Sequence, residues 1–194
     1  MYADSLRVVR AGYPYEMALL DQITDRVSSA FNGRIRRTSR HKEILDFQVP
    51  ENGAFYSWML AQISRSIEQD VPGNDIILCL MHYPVKGPDG SLIEGYCATN
   101  RGISRTYPPA RTSFVFTYPD HMSPELPDET FVSRASKVGI HEIGHYFGLE
   151  HHTKPLWTRN GLLCLMSEIL PDIPFEDVGK EIDKEDSNFC QTCT

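Results

Sequence analysis

Apolar residues recur along the first part of the chain with two alternating periods, one typical of strands and one typical of helices. Short apolar or alternating runs predict strands at residues 6–9, 33–39, 76–81 and 112–117. Helical spacing predicts helices at 16–31 and 54–69, and the second places five residues on one buried face: Phe55, Trp58, Met59, Ile63 and Ile67. This alternation predicts an α/β fold with a mostly parallel, twisted sheet and right-handed crossovers.

Two further helices are expected downstream. A long helix follows a loop at 119–127, takes Asp128 as its cap and reaches residue 149. Its apolar residues should pack under the sheet: Phe131, Val132, Val138, Ile140, Ile143 and Phe147. Residues 178–188 are expected to form a short final helix. The 194 residues therefore predict a single domain, with the sheet and main helices in 1–150 and an α+β C-terminal subdomain in 151–194.

The end of the long helix reads His-Glu-x-x-His-x-x-Gly-x-x-His, from His141 to His151. His141 and His145 are one helical turn apart, so both rings face the same way and can hold one zinc ion. Gly148 can adopt the left-handed conformation that ends a helix, and the chain then turns so that His151 returns as a third ligand. Three protein ligands leave the fourth tetrahedral position to water, as in a catalytic zinc site.

Glu142 follows the first histidine and lies close to the metal without necessarily binding it. A carboxylate in that place suits a general base acting on zinc-bound water, so the motif predicts a zinc-dependent hydrolase. The alternative is a group of surface histidines that bind no metal. The additional glycine and the third histidine, both at the required spacing, favour the zinc site.

The cysteines narrow the comparison with known families. There are five of them: Cys79, Cys97, Cys164, Cys190 and Cys193. The last two form Cys-x-x-Cys, and Cys164 stands two residues before Met166. The extended histidine motif, the Cys-x-Met and the distant Cys-x-x-Cys together resemble the archaemetzincins, which belong to the metzincin clan of zinc peptidases.

The resemblance implies a metzincin-like zincin fold, with an antiparallel edge strand, a long active-site helix and a methionine-containing turn below the zinc. It assigns the edge strand to residues 92–99 and the Met-turn to Met166, for which ordinary core packing is the alternative. It also implies a second, structural zinc ion, so two ions are expected. The implied ligands of the second ion are His152, Cys164, Cys190 and Cys193.

The sequence departs from the family pattern at the second site. His152 stands where the family has a cysteine, and eleven residues separate it from Cys164, more than is usual in the family. Because histidine is a competent zinc ligand, a site of one histidine and three cysteines is chemically sound; otherwise His152 is a bystander. The alternatives for the cysteines are buried free thiols or a Cys190–Cys193 disulfide. The lengthened segment, which contains Trp157, either shapes the cleft entrance or forms an ordinary surface loop.

Charge and composition limit the classes of partner. A net charge of −7 does not favour nucleic acid or an anionic membrane. The sequence shows neither an apolar run of about 18 residues nor a signal peptide, so no membrane association is expected. Cysteines at metal-like spacing fit a reducing compartment, which predicts a cytoplasmic protein, and nothing demands more than a monomer. The basic residues at 34–40 form either a docking patch or a solvated strand and loop.

Together these features predict a zinc metallopeptidase with Glu142 as general base and a peptide substrate that pairs with the free edge of strand 92–99. The alternative is a non-catalytic module in which zinc stabilises the fold and the cleft binds a peptide without cutting it. A secreted, toxin-like protease is disfavoured because no export segment is visible. Some metzincins have a tyrosine after the Met-turn that stabilises the oxyanion together with zinc, but no tyrosine follows Met166 in this sequence. Tyr146 lies inside the histidine motif, where it is better suited to core packing than to this role.

Overall fold

The three-dimensional structure is a computed structural model. It describes residues 4–37, 44–45, 47–48, 50, 53–71, 73, 75–93, 95–97, 111–154, 156–167, 178–184 and 189–193. Parts of three expected elements lie outside these residues: 38–39 of the second strand, 94 and 98–99 of the edge strand, and 185–188 of the final helix.

A mixed sheet forms the centre of the fold. Its strands are β1 (Asp4–Ala11), β2 (Ile35–Arg37), β3 (Ile44–Leu45), β5 (Ile76–Met81), β7 (Gly95–Cys97) and β8 (Thr112–Phe116). They run in the order β2-β1-β5-β8-β7. Strand β3 also pairs with β1: β2 pairs with the start of β1, and β3 pairs with its end. All these pairings are parallel except that of β7 with β8. The predicted α/β class, the mostly parallel sheet and the antiparallel edge strand are thus confirmed.

Helices cover both faces of this sheet. Helices α1 (Met17–Ala30) and α3 (Asp128–Tyr146) lie on one face, and α2 (Leu60–Asp70) lies on the other. The position of strand β5 in the middle of the sheet explains why its sequence is apolar throughout. Leu78 packs into the core with α1 and α3, whereas its neighbours Ile77 and Cys79 pack into the core with α2. A strand that is buried on both faces has no position for a polar side chain.

The predicted helix at 54–69 is wrong in its first part. Residues 55–56 form strand β4 (Phe55–Tyr56), which pairs with β6 (Val85–Lys86), and a short 3-10 helix precedes α2. Trp58, expected in the core, is 70% exposed and stacks on Tyr56 at a ring distance of 6.4 Å. Pairing with a strand distant in sequence has overridden the local helical period.

The long helix differs from its prediction at both ends. Pro127 occupies the N-cap position and Asp128 is the first helical residue, so the assignment of Asp128 as the cap is wrong. The helix ends at Tyr146 rather than at residue 149, because Gly148 adopts a φ of 89°. The apolar residues predicted to face the sheet do so: Phe131, Val132, Ile140 and Ile143 are buried, and Val138 and Phe147 are partly buried against the same core.

The C-terminal part contains helix α4 (Val178–Lys184), which is anchored to α3. Arg134 forms two hydrogen bonds to the carboxylate of Asp183, at 2.9 and 2.5 Å. Lys137 donates to the carbonyl of Ile182 at 2.9 Å. Across the described residues, the structure holds no helix with the length and apolar composition needed to cross a membrane.

Candidate metal centres

Three histidine rings converge at the carboxyl end of α3. His141 and His145 project from the last two turns of the helix, and His151 follows the turn at Gly148. Their Nε2 atoms form a nearly equilateral triangle. The sides are 3.1 Å between His141 and His145, 3.0 Å between His145 and His151, and 3.0 Å between His151 and His141. The structure therefore brings together the three residues that the sequence motif singled out.

The turn that returns His151 to the helix is a Schellman motif. The amide of Leu149 donates to the carbonyl of Gly144 at 3.0 Å, and the amide of Gly148 donates to the carbonyl of His145 at 2.9 Å. This pair of bonds requires a left-handed residue at Gly148, where a side chain would be strained. The glycine of the motif thus sets the direction from which His151 approaches.

Two backbone carbonyls fix the tautomers of the helical histidines. Nδ1 of His141 lies 2.5 Å from the carbonyl oxygen of Leu165, and Nδ1 of His145 lies 2.9 Å from that of Leu149. A carbonyl only accepts, so both Nδ1 atoms carry the proton and both Nε2 atoms present lone pairs. Burial lowers the pKa of His141 to about 4 and also lowers the pKa of His145, so both rings are neutral at pH 7.

A zinc ion fits this arrangement. Neutral imidazole nitrogens that face each other at 3.0–3.1 Å repel one another unless they share a cation or a proton. Tetrahedral zinc, with Zn–N distances of about 2.0–2.1 Å, separates neighbouring nitrogens by about 3.3–3.4 Å. The observed triangle is only a few tenths of an ångström tighter. The hydrogen bonds to Leu165 and Leu149 are the kind of outer contact that orients metal-binding histidines.

Glu142 follows His141 in α3, and its carboxylate faces the edge strand β7. Its side chain is 8% exposed. The Cα atom of Gly95 in β7 faces its carboxylate so closely that a methyl group at residue 95 would overlap Oε1 of Glu142. The carboxylate therefore occupies a confined place against the strand at the sheet edge, on the residue that follows the candidate ligand His141.

A second cluster contains one histidine and three cysteines. Nε2 of His152 lies 3.3 Å from Sγ of Cys190 and 3.2 Å from Sγ of Cys193. Sγ of Cys193 lies 3.8 Å from Sγ of Cys164 and 3.8 Å from Sγ of Cys190. All four ligand atoms lie within 4.8 Å of one another. His152 is therefore placed among the cysteines.

This second cluster also fits zinc. With a Zn–S distance of about 2.3 Å, tetrahedral zinc separates its sulfur ligands by about 3.8 Å, which is the separation observed. The same distance shows that Cys190 and Cys193 are not joined in a disulfide, since a disulfide bond is about 2.05 Å long. The amide of Cys190 donates to Sγ of Cys164 at 3.3 Å, a contact that favours the thiolate form.

The two clusters share a short stretch of backbone. His151 and His152 are consecutive, so each cluster takes one of two adjacent histidines. The amide of His152 donates to the carbonyl of Met166 at 2.8 Å. On that same turn, Cys164 points into the second cluster while the carbonyl of the next residue, Leu165, holds His141. The position of each cluster therefore depends on the other.

Met166 lies in a tight turn directly beneath α3. The turn is closed by the amide of Ser167, which donates to the carbonyl of Cys164 at 2.8 Å. The side chain of Met166 is fully buried, and its sulfur lies 3.0 Å from where a Cβ atom on Gly144 would stand. Gly144 in the histidine motif thus lets this methionine approach the helix backbone.

Three other residues discussed in the sequence analysis belong to neither cluster. Cys79 is fully buried in β5, where burial raises the pKa of its thiol to about 12, so it is an unreactive core residue. Tyr146 is half-buried and packs on Phe147, as expected of a core residue. Trp157 forms an isolated antiparallel β-bridge with Leu163, which makes this part of the lengthened segment a hairpin. The tryptophan is 63% exposed, so the lengthened segment does not bury it.

Sequence reasoning missed the groups that hold the candidate metal ligands in place. The carbonyls of Leu165 and Leu149 have no signature, because every residue carries a carbonyl oxygen. Gly95 did carry a signal, since a glycine inside a strand often marks a close approach of another group. That signal could have directed attention to the strand that faces Glu142.

Comparisons with known proteins identify the fold. No family model matches the chain. An archaemetzincin from Haloquadratum walsbyi is 36% identical over 67 residues, which cover 34% of this chain and 31% of that protein. The match thus spans about a third of the length of this curated relative.

Solved structures match over nearly the whole chain. A crystal structure of archaemetzincin from Methanopyrus kandleri has a TM-score of 0.68 at 21% identity, covering 98% of this chain and 91% of its own. A zinc-dependent peptidase from Methanocorpusculum labreanum has a TM-score of 0.66 at 17% identity, covering 97% of both chains. These likenesses confirm the resemblance and show that the chain has the fold of these proteins.

Proposed function

We propose that this chain, which has the archaemetzincin fold, is a zinc-dependent peptidase that hydrolyses peptide bonds at the His141–His145–His151 centre. One observation carries the proposal: three Nε2 atoms converge within 3.1 Å, and the residue that follows His141 on the same helix, Glu142, carries a buried carboxylate. The relatives named archaemetzincin and zinc-dependent peptidase support the same reading.

The chemistry divides between the metal and the chain. Zinc at this centre would act as a Lewis acid, lowering the pKa of a water molecule toward neutrality and polarising the scissile carbonyl. His141, His145 and His151 would hold the ion through Nε2. The hydrogen bonds of His141 to Leu165 and of His145 to Leu149 keep those two rings in the required tautomer and orientation.

Glu142 would act as the general base and then as the general acid. Its carboxylate would accept a proton from the attacking water and deliver it to the nitrogen of the leaving amine. The close approach of β7 restricts the positions that the carboxylate can occupy. A catalytic group that is already held near its reactive geometry lowers the entropic part of the barrier.

The edge strand β7 offers a surface on which an extended peptide can bind. In the described part of the sheet, β7 pairs with β8 on one side and ends the strand order on the other. An extended substrate would add to this edge through main-chain hydrogen bonds, which recognise any peptide backbone. The substrate would then pass Gly95, the residue of β7 that faces the carboxylate of Glu142.

The second cluster would hold a structural zinc ion with His152, Cys164, Cys190 and Cys193 as its ligands, giving two ions for each chain. Four protein ligands close the coordination shell, so this ion would stabilise the fold and leave no open position for a substrate. Metal binding would tie the C-terminal Cys190–Cys193 turn to the loop that carries His151 and Leu165. Its contribution to folding would be direct.

Peptide cleavage by matched variants tests the proposal. The wild-type chain, Glu142→Ala and the control Glu150→Ala, which removes an exposed carboxylate near the same centre, are incubated with a peptide library. Mass spectrometry identifies the products, and the zinc content of each variant is measured in parallel. We expect cleavage by the wild type and by Glu150→Ala, and full zinc content without cleavage in Glu142→Ala.

Two results would refute the proposal. Cleavage by Glu142→Ala at the wild-type rate would remove Glu142 from the mechanism. A zinc-loaded wild-type chain that binds peptides and cuts none would favour the non-catalytic binding module.

A further inference from the structure

We propose that Gly95 is a positioning residue for the general base: the lack of a side chain at this point of β7 creates the space that holds the Glu142 carboxylate in its working position. This inference rests on the proposed peptidase function. Nothing in the histidine or cysteine motifs includes residue 95, which lies 46 positions before His141.

The space requirement at Gly95 is specific to two side chains of α3. A Cβ atom built on Gly95 would overlap Oε1 of Glu142, would lie 3.0 Å from Cδ of the same carboxylate, and would lie 2.8 Å from Cγ1 of Val138. Real Cβ atoms essentially never approach other heavy atoms within 3.0 Å. A methyl group at residue 95 would thus meet α3 at two side chains, one of which is the carboxylate proposed as the general base.

Backbone conformation gives no separate reason for a glycine here. The glycines that need a left-handed φ include Gly12, Gly90 and Gly148, and Gly95 is not among them. Gly95 lies in ordinary strand backbone, paired with Val115 of β8. Alanine could adopt this conformation without strain, so any effect of a methyl group at this position comes from the space that it takes.

The neighbours of Gly95 differ in how far they can move. Strand β7 is fixed by its ladder with β8, and α3 is fixed by a buried core face. Val138 is branched at Cβ and stiff within a helix. The carboxylate of Glu142 ends a flexible side chain, so it would yield first. A methyl group at residue 95 would therefore displace the base and leave the fold in place, apart from a small adjustment at Val138.

Such a displacement predicts a particular kinetic signature. The proton-transfer step needs the carboxylate within hydrogen-bond reach of its partner, and a shift of about 1 Å can cost roughly 100-fold in rate. Peptide binding along the strand edge uses main-chain groups, which a methyl group directed toward α3 leaves unchanged. The loss should therefore appear in kcat, with KM and zinc content retained.

The first test measures kinetics and zinc together. We expect Gly95→Ala to keep the zinc content and a KM within about threefold of wild type while kcat falls by roughly 100-fold. The control is Gly139→Ala, which crowds the helix–sheet interface at Leu78 (3.0 Å) without contacting Glu142 and should change kcat by less than about threefold. In the Glu142→Asp background the shorter side chain leaves room for the methyl group, so adding Gly95→Ala should lower kcat by less than about fivefold.

The second test requires no activity. Crowding by Gly95→Ala should lower Tm by about 5 °C, and this loss should be smaller in the Glu142→Ala background, where only the contact to Val138 remains. In the Val138→Ala background the Tm loss caused by Gly95→Ala should also be smaller, and the combined variant should still lack the wild-type kcat. These backgrounds keep the comparison informative if Gly95→Ala alone folds poorly.

The outcomes separate this inference from the proposed function. A wild-type kcat in Gly95→Ala, a loss confined to KM, or a Tm loss that is the same with and without the Glu142 side chain would overturn it. A wild-type chain without turnover would refute the peptidase function instead, and the Tm comparison would then decide whether Gly95 holds Glu142.

Discussion

The carbonyl oxygen of Leu165 lies 2.5 Å from Nδ1 of His141, and so joins the two candidate metal centres. Leu165 follows Cys164, a candidate ligand of the second centre, and precedes the buried Met166. The orientation of a ring in the first centre therefore depends on a turn that is held in part by the second. Removal of the metal ion from the second centre should therefore weaken metal binding at the first centre.

Replacement of Cys190 by serine tests this dependence. We expect the zinc content to fall by one ion, Tm to decrease, and the affinity of the remaining zinc at His141, His145 and His151 to weaken by about tenfold, because an outer contact of a ligand is loosened. Zinc content and competition with a chromophoric chelator measure both effects.

The control for that experiment is Thr192→Ala, an exposed change within the same turn that should leave both zinc ions bound. An unchanged zinc count in Cys190→Ser would remove Cys190 from the second centre. A loss of one ion with unaltered affinity of the other would show that the two centres are independent.

Gly148 can be tested against a second glycine with the same backbone conformation. Its φ is 89°, and that of Gly161 on the exposed hairpin is 74°. Alanine at either position should cost about 1–2 kcal/mol of unfolding free energy through strain. Only Gly148→Ala should also weaken zinc binding, since it alters the turn that returns His151. Equal zinc affinity in the two variants would contradict the role given to this turn.

The lowered pKa of His141 predicts how stability changes with pH when the first centre has been emptied by a chelator. In the folded chain burial lowers this pKa to about 4, whereas the unfolded residue has its usual value of 6.5. The unfolded state binds more protons between these values, so the stabilisation is complete above pH 6.5 and is lost as pH falls toward 4. The loss amounts to about 3 kcal/mol.

His141→Asn provides the matched control for this pH dependence, because asparagine can donate to the Leu165 carbonyl and does not titrate. Unfolding free energies measured at pH 7, 6, 5 and 4.5 should fall more steeply in the wild type than in the variant. Parallel curves would show that His141 is not buried in its neutral form.

Much of the fold could be predicted from the sequence because it follows from local patterns. The continuous apolar run of β5 required a strand covered on both faces, and the structure covers it with helices on each side. The helix predicted at 54–69 failed in its first part because residues 55–56 pair with β6, which is distant in sequence and is not revealed by any local period. Asp128 failed as a cap because Pro127 takes that position.

The candidate centres could be predicted where ligand spacing is local and only through the family resemblance where it is not. His141, His145 and His151 follow from helix geometry and one turn. The convergence of His152 with Cys164, Cys190 and Cys193 depends on the folding of distant segments, and spacing alone does not specify it. Their roles as ligands, that of Met166 as a Met-turn residue, the division at residue 150 and the cytoplasmic location remain predictions.

Anomalous diffraction at the zinc absorption edge, from crystals of the zinc-replete protein, tests the central claim most directly. The account predicts one peak bounded by the Nε2 atoms of His141, His145 and His151, and a second among His152 and the three cysteines. Histidine rings turned away from one another, with no anomalous density between them, would contradict it.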